Sequence, residues 1–231
     1  MYETSPLLHF AEDQLQIFAL SFMAIVYALK IRWILKFPAG KERQKTTSTT
    51  GMDARKGALL SLLNIATPWV MGSYREHPFL YAQFVVFHVA VAVSIAMSIV
   101  MPYWPGVIAA PGTVLTLEVI FAAGLGVGLL RLIRRITNKH VRAISTPDDY
   151  FSLALLCVWM AFSILAAPNN RVVSETPLLA YYFLTAFFLI YVPFSKISHY
   201  IYYPFARYYL GRTLGHRGSY PSWKPAARAK A

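Results

Sequence analysis

The amino-acid sequence predicts an all-α integral membrane protein: a bundle of five transmembrane helices, amino terminus outside and carboxy terminus in the cytoplasm. Three observations predict it: the composition, five long apolar stretches, and the placement of lysine and arginine. Of 231 residues, 57% are hydrophobic and only 14% are charged, with a mean hydropathy of +0.46. A soluble domain carries about 25% charged residues, so this chain could not clothe a water-facing surface. Aromatic residues reach 15%, which suits interfacial belts.

A bilayer core takes about 20 mostly apolar residues per helix. The spans read at 13–35, 78–101, 113–133, 150–167 and 177–200. Pro78 is a natural first-turn residue for the second. The third starts near Gly112, and the short fourth is flanked by Asp149–Tyr150 and Pro168. A further apolar stretch, 58–73, is interrupted by Asn64 and Pro68 and reads as an interfacial or re-entrant segment. The membrane domain is thus residues 1–203, followed by a basic cytoplasmic tail over 204–231.

Basic residues concentrate in cytoplasmic loops. Twenty-one of the 22 Lys and Arg residues fall in the first loop, the third loop and the tail, or in the helix ends beside them. Arg171, in the fourth loop, is the exception. That asymmetry sets the predicted orientation, and a sixth span over 58–73 would reverse it for Arg131–Arg142. The net charge of +12 is therefore topology, and no nucleic-acid partner is expected. The acidic start, with Glu3, Glu12 and Asp13, is the reverse of a signal-peptide n-region. One cysteine, Cys157, excludes an internal disulfide, a Cys-ligated zinc and a Cys-held iron–sulfur cluster within this chain.

Histidine inside a span is costly and usually faces the bundle interior. His88 lies within the second span and His199 near the cytoplasmic end of the fifth. Two imidazoles on different helices can ligate a b-type haem; two hydrogen-bonded packing histidines are the alternative. His77 precedes His88 by 11 residues. On a continuous helix the two would point within roughly 20° of one another, about 16 Å apart along the axis. Because Pro78 places it at or before the helix start, His77 is the second-choice ligand. His9, His140 and His216 read as solvated.

The Phe87-His88-Val89 of the second span and the Pro193-Phe194-Ser195-Lys196-x-x-His199 of the fifth resemble the nitrate reductase gamma-subunit family. That family includes the membrane cytochromes b of sulfite-reductase-linked and heterodisulfide-reductase complexes. The run Pro204-Phe205-Ala206-Arg207-Tyr208-Tyr209, with Gly211-Arg212 and His216-Arg217-Gly218, is similar to the tail of the latter. The resemblance implies that His88 and His199 are the axial ligands of the haem nearer the cytoplasm. Two-haem members have further histidines at the positions of Ser98 and Tyr181; their absence here implies one haem b.

Glu118 is the only acidic residue well inside a span, about 9 Å below the outer surface. It reads either as a proton acceptor for quinol, in the outer half opposite Tyr181 and Tyr182 at the start of the fifth helix, or as a structural glutamate. Gly124, Gly126 and Gly128 sit mid-span with no preceding strand, so they read as helix packing rather than a nucleotide loop. Met23, Met97, Met101 and Met160 read as apolar packing.

The function expected is that of a haem b-containing subunit of a respiratory complex in the bacterial or archaeal cytoplasmic membrane. It would exchange electrons between membrane quinone and iron–sulfur or cytochrome partner subunits. The rival expectation is a cofactor-free membrane anchor for such partners. A transporter is disfavoured, because no internal repeat or broken-helix pair is evident.

Overall fold

A computed structural model of the chain describes residues 4–37, 53–67 and 72–214. Every regular element among them is helical. Helix α1 runs Pro6–Lys36, with one π-helical turn at Phe10–Gln14. It is followed by α2 (Ala54–Leu63), a 3-10 turn (Asn64–Ala66), α3 (Gly72–Glu76), α4 (Pro78–Tyr103) and α5 (Pro105–Ile108). Then come α6 (Pro111–Thr137), α7 (Lys139–Ala143), α8 (Pro147–Ala166), α9 (Thr176–Tyr191) and α10 (His199–Leu214). Five helices are long and apolar enough to cross a membrane: α1, α4, α6, α8, and α9 extended to Phe194.

Prolines set most of the starts. Pro6, Pro105, Pro111, Pro147 and Pro177 each occupy the first turn of a helix, where a missing N–H costs nothing and φ is already helical. At the start of α8 the Asp149 carboxylate also accepts the Thr146 amide at 2.7 Å. The fifth apolar stretch departs from its predicted span of 177–200. Its α-helix stops at Tyr191 and gives way to 3-10 turns at Val192–Phe194 and Lys196–Ser198. Pro193 cannot donate to the helix ladder, and the Ser195 hydroxyl takes the Val192 carbonyl at 3.1 Å. The segment expected over 58–73 begins earlier, because Asp53 caps α2 by accepting the Lys56 amide at 2.7 Å. Pro68 lies outside the described residues, as does the tail beyond Leu214.

The helices form two compact units, Met1–Leu29 with Ala82–Ile197, and Lys30–Tyr81 with Ser198–Ala231. In the first, α6 packs on α8 and α8 on α9. Small residues let the backbones close. A Cβ on Gly124 would collide with Ala90 and come within 3.0 Å of the Met160 sulfur, and one on Gly128 would lie 2.7 Å from Cys157 Sγ. Gly126 has nothing within 4 Å of its missing side chain, so only two of the three glycines serve packing. Met97, Met101 and Met160 are buried in this unit.

The middle of the first unit is a closed polar–aromatic network. Trp159 stacks on Phe188 at 5.2 Å and donates its indole N–H to Thr185 at 2.8 Å. Tyr181 donates to the Ser94 carbonyl at 2.5 Å, and the Ser94 and Ser163 hydroxyls meet at 2.7 Å. Each buried donor there has an acceptor, as a low-dielectric interior demands. In the second unit α2 packs along α10.

Candidate functional site

His88 sits on α4 in the first unit, half-buried, with the Phe84 ring 4.2 Å away and the Phe87 ring 6.2 Å away. Its Nδ1 lies 2.7 Å from the Phe84 carbonyl one turn back. A carbonyl only accepts, so Nδ1 carries a proton. That is the arrangement a metal-binding imidazole adopts when a backbone carbonyl orients it.

His199 is the first residue of α10, in the second unit, and its ring is exposed, 6.5 Å from that of Tyr200. It follows the break that ends α9, so it stands on a separate helix and not on the fifth span. His77 lies outside helical structure immediately before Pro78; its carbonyl accepts the Leu80 amide at 3.1 Å. His9 and His140 are exposed, and His216 falls outside the described residues. Among the described residues, no three His, Cys, Asp or Glu side chains cluster as a metal-ion site.

The motif residues beside His199 have a structural task within the first unit. Lys196 Nζ reaches the Asp149 carboxylate and the Thr146 hydroxyl, both at 2.8 Å, and its amide donates to Asp148 at 3.1 Å. The Tyr191 hydroxyl also donates to Asp148. Ser195 and Lys196 therefore end α9 and tie it to the start of α8.

Tyr181 and Ser98 are both buried. The Tyr181 ring lies parallel to Trp159 at 6.4 Å. Aromatic side chains thus occupy the surroundings of Tyr181.

A polar cluster that sequence reasoning missed surrounds Tyr182 in the same unit. Glu12, on the π turn of α1, receives two hydrogen bonds from Arg171, at 2.7 and 3.1 Å. Asn169, in the left-handed region at φ 50°, turns the chain after α8 and accepts from Arg171 Nε at 3.1 Å. Because the Leu15 amide bonds Phe10 across the π turn, Ala11 lacks its usual donor four residues on. The Gln16 side chain supplies one, donating at 2.9 Å to the carbonyls of both Ala11 and Tyr182. The Tyr182 hydroxyl and Gln16 Oε1 are buried and have no hydrogen-bond partner among the described residues. Glu12, Arg171 and Tyr103 lie within electrostatic range of that hydroxyl, and Tyr103 itself donates to Asp13 at 2.7 Å. Glu175, just outside the membrane-spanning stretches, accepts the Ser5 amide at 2.9 Å and the Ser5 hydroxyl. These bonds hold its carboxyl below the usual carboxylate range.

Glu118 is half-buried on α6, and no described residue forms a hydrogen bond or ion pair with it. The charged groups within electrostatic range of the Tyr182 hydroxyl are Glu12 and Arg171. The spacing of Glu12 and Gln16, one helical turn apart, together with the single basic residue outside the charged loops, was the available signal.

A protein of Nitratidesulfovibrio vulgaris strain Hildenborough, named only "Protein", is 30% identical to this chain over 168 residues, 68% of this chain and 70% of its own length. The chain belongs to the same family as that protein. No family model matches the chain, and no solved structure matches it.

Proposed function

We propose that this family member is a haem b-carrying membrane subunit of a respiratory redox complex, exchanging electrons between membrane quinol and partner redox subunits. The observation that supports it best is the His88 hydrogen bond: an imidazole inside an apolar span with Nδ1–H donated to Phe84 at 2.7 Å. That bond orients the ring and raises the basicity of Nε2. By the resemblance to the nitrate reductase gamma-subunit family, His88 and His199 would hold the haem iron, with His77 as the second choice. A haem b held there would supply one-electron redox chemistry in a low-dielectric bundle. Iron–sulfur or cytochrome subunits would be the partners, and the amino terminus would face outward across a bacterial or archaeal cytoplasmic membrane.

The chain's own residues would manage protons. Quinol oxidation releases two protons with two electrons, so a carboxylate that can change charge assists it. Glu12 is committed to Arg171; Glu118 has no such partner and is the proposed acceptor. The Tyr182 hydroxyl and Gln16 Oε1, both unsatisfied, are the buried groups suited to hydrogen-bond a quinol head group.

The test is His88→Ala against His77→Ala. The proposal expects loss of the low-spin haem spectrum in the first and its retention in the second. Full haem content with an unchanged spectrum in His88→Ala would refute the ligand assignment.

A further inference from the structure

The second unit is built the wrong way round for water. Helix α2 buries Gly57, Ala58 and Ser61, and the turn after it buries Asn64, all small or polar, while Leu59 and Leu63 remain 57% and 48% exposed. A helix at a soluble surface would bury its leucines and expose its serine and asparagine. The burial against α10 follows from close backbone approach. A Cβ on Gly211 would meet the Gly57 carbonyl oxygen, and would lie 2.5 Å from Ser61 Cβ and 2.8 Å from Ala58 Cα. Arg207 locks the crossing by donating to the Ser61 carbonyl at 3.2 Å. Association through small residues with leucines turned outward is the pattern of helices whose surroundings are lipid.

Beside this crossing lies a cavity of about 510 Å³, lined by Arg55, Ala58, Leu59 and Leu62 from α2 and by Tyr208 and Arg212 from α10. The α2 wall is aliphatic apart from Arg55, the α10 wall carries the Arg212 guanidinium and the Tyr208 phenol, and among the described residues no carboxylate lines the cavity. The nearest acidic side chain in sequence, Asp53, is engaged in capping α2. Guanidinium pairs phosphate oxygens through two parallel N–H bonds, which suits phosphodiester recognition better than a point charge does. A free phosphate would leave the aliphatic wall without a use; an ester with acyl chains fills both halves.

We propose that this groove binds the headgroup of an anionic phospholipid, its phosphodiester between Arg55 and Arg212 and its acyl chains along Leu59 and Leu62. The inference goes beyond the redox proposal and is independent of it, needing only that the chain resides in a bilayer. Basic pockets between helices at the membrane surface bind anionic lipid in this way.

The test is native mass spectrometry of the full chain in detergent, titrated with phosphatidylglycerol or with phosphatidylcholine. Wild type is expected to retain phosphatidylglycerol in preference to phosphatidylcholine. Each arginine near an anionic headgroup is worth about fivefold in affinity, so the Arg55→Gln/Arg212→Gln pair should bind phosphatidylglycerol about twenty-five-fold more weakly. The Arg55→Lys/Arg212→Lys pair, which keeps the charge but loses the fork, should fall between them. Millimolar inorganic phosphate should leave the lipid bound. Equal retention of the two lipids by wild type overturns the proposal, and that arm needs no variant to fold. Unchanged phosphatidylglycerol binding in the glutamine pair, or displacement of the lipid by inorganic phosphate, also overturns it.

Discussion

The Arg171 guanidinium grips the Glu12 carboxylate through two hydrogen bonds, 2.7 and 3.1 Å long, closing the start of α1 onto the turn between α8 and α9. The side chains are 10% (Glu12) and 25% (Arg171) exposed, so the pair is largely out of water. Removing one partner leaves the other charge uncompensated, which costs more than the pair contributes. Arg171→Met should therefore lower stability by about 2–3 kcal/mol, less than a fully buried pair would lose because water still reaches the guanidinium. Glu12→Gln/Arg171→Met should recover most of that loss. Thermal unfolding in detergent checks both; equal losses in the single and double variants would show that the pair is not the cause.

Glu175 gives the segment before α1 a pH dependence of defined sign. Its folded-state pKa lies below the ordinary value, because the Ser5 hydroxyl and amide hydrogen-bond to the charged carboxylate. The stabilisation is then fully present above the unfolded pKa, about 4.3, and is lost as pH falls through the lower folded value. The protection of the Ser5 amide against hydrogen exchange, relative to its intrinsic rate, should be steady from pH 7 to about 5 and fall below about 4. In Glu175→Gln that fall should vanish. Its persistence would place the titrating group elsewhere.

The three mid-span glycines on α6 should not behave alike. Gly124→Ala sets a methyl group against Ala90 and Met160, an overpacking that costs about 1–3 kcal/mol. Gly126→Ala meets nothing within 4 Å and should be neutral or stabilising by up to about 1 kcal/mol, alanine being the better helix former. Unfolding midpoints of the two variants separate them. Equal destabilisation would mean that α6 is rotated relative to the packing described.

Much of this fold was legible in the sequence, because hydropathy over 20-residue windows reports a property of whole helices. Pro78 and Gly112 marked the starts of the second and third spans to within a residue. What escaped depended on single backbone events. The stop after Tyr191 hinges on Pro193 together with Ser195 and Lys196, whose partners Asp148 and Asp149 lie over 40 residues away. The π turn at Phe10–Gln14 shows no residue pattern, yet it is what brings Gln16 to the Ala11 carbonyl. Glu12 read as part of an acidic tail because its partner, Arg171, is 159 residues distant. The His88 ring was found by its oddity in an apolar span, but its Nδ1 proton required the Phe84 carbonyl in three dimensions.

The orientation proposed from the lysine and arginine distribution has its own check. A cysteine at Thr47 should react with an impermeant maleimide only from the cytoplasmic side, and one at Ala109 only from outside. Cys157 is buried and gives little background. Labelling of both positions from the same face would contradict the five-span arrangement.

The central claim is that this chain carries haem b, and the pyridine haemochrome spectrum of the purified full chain tests it most directly. Produced in cells supplied with haem and shown to be helical by circular dichroism, the protein should give the protohaem α band at about one haem per chain. A well-folded, membrane-extracted protein with no haem band would contradict the account and leave the cofactor-free anchor in its place.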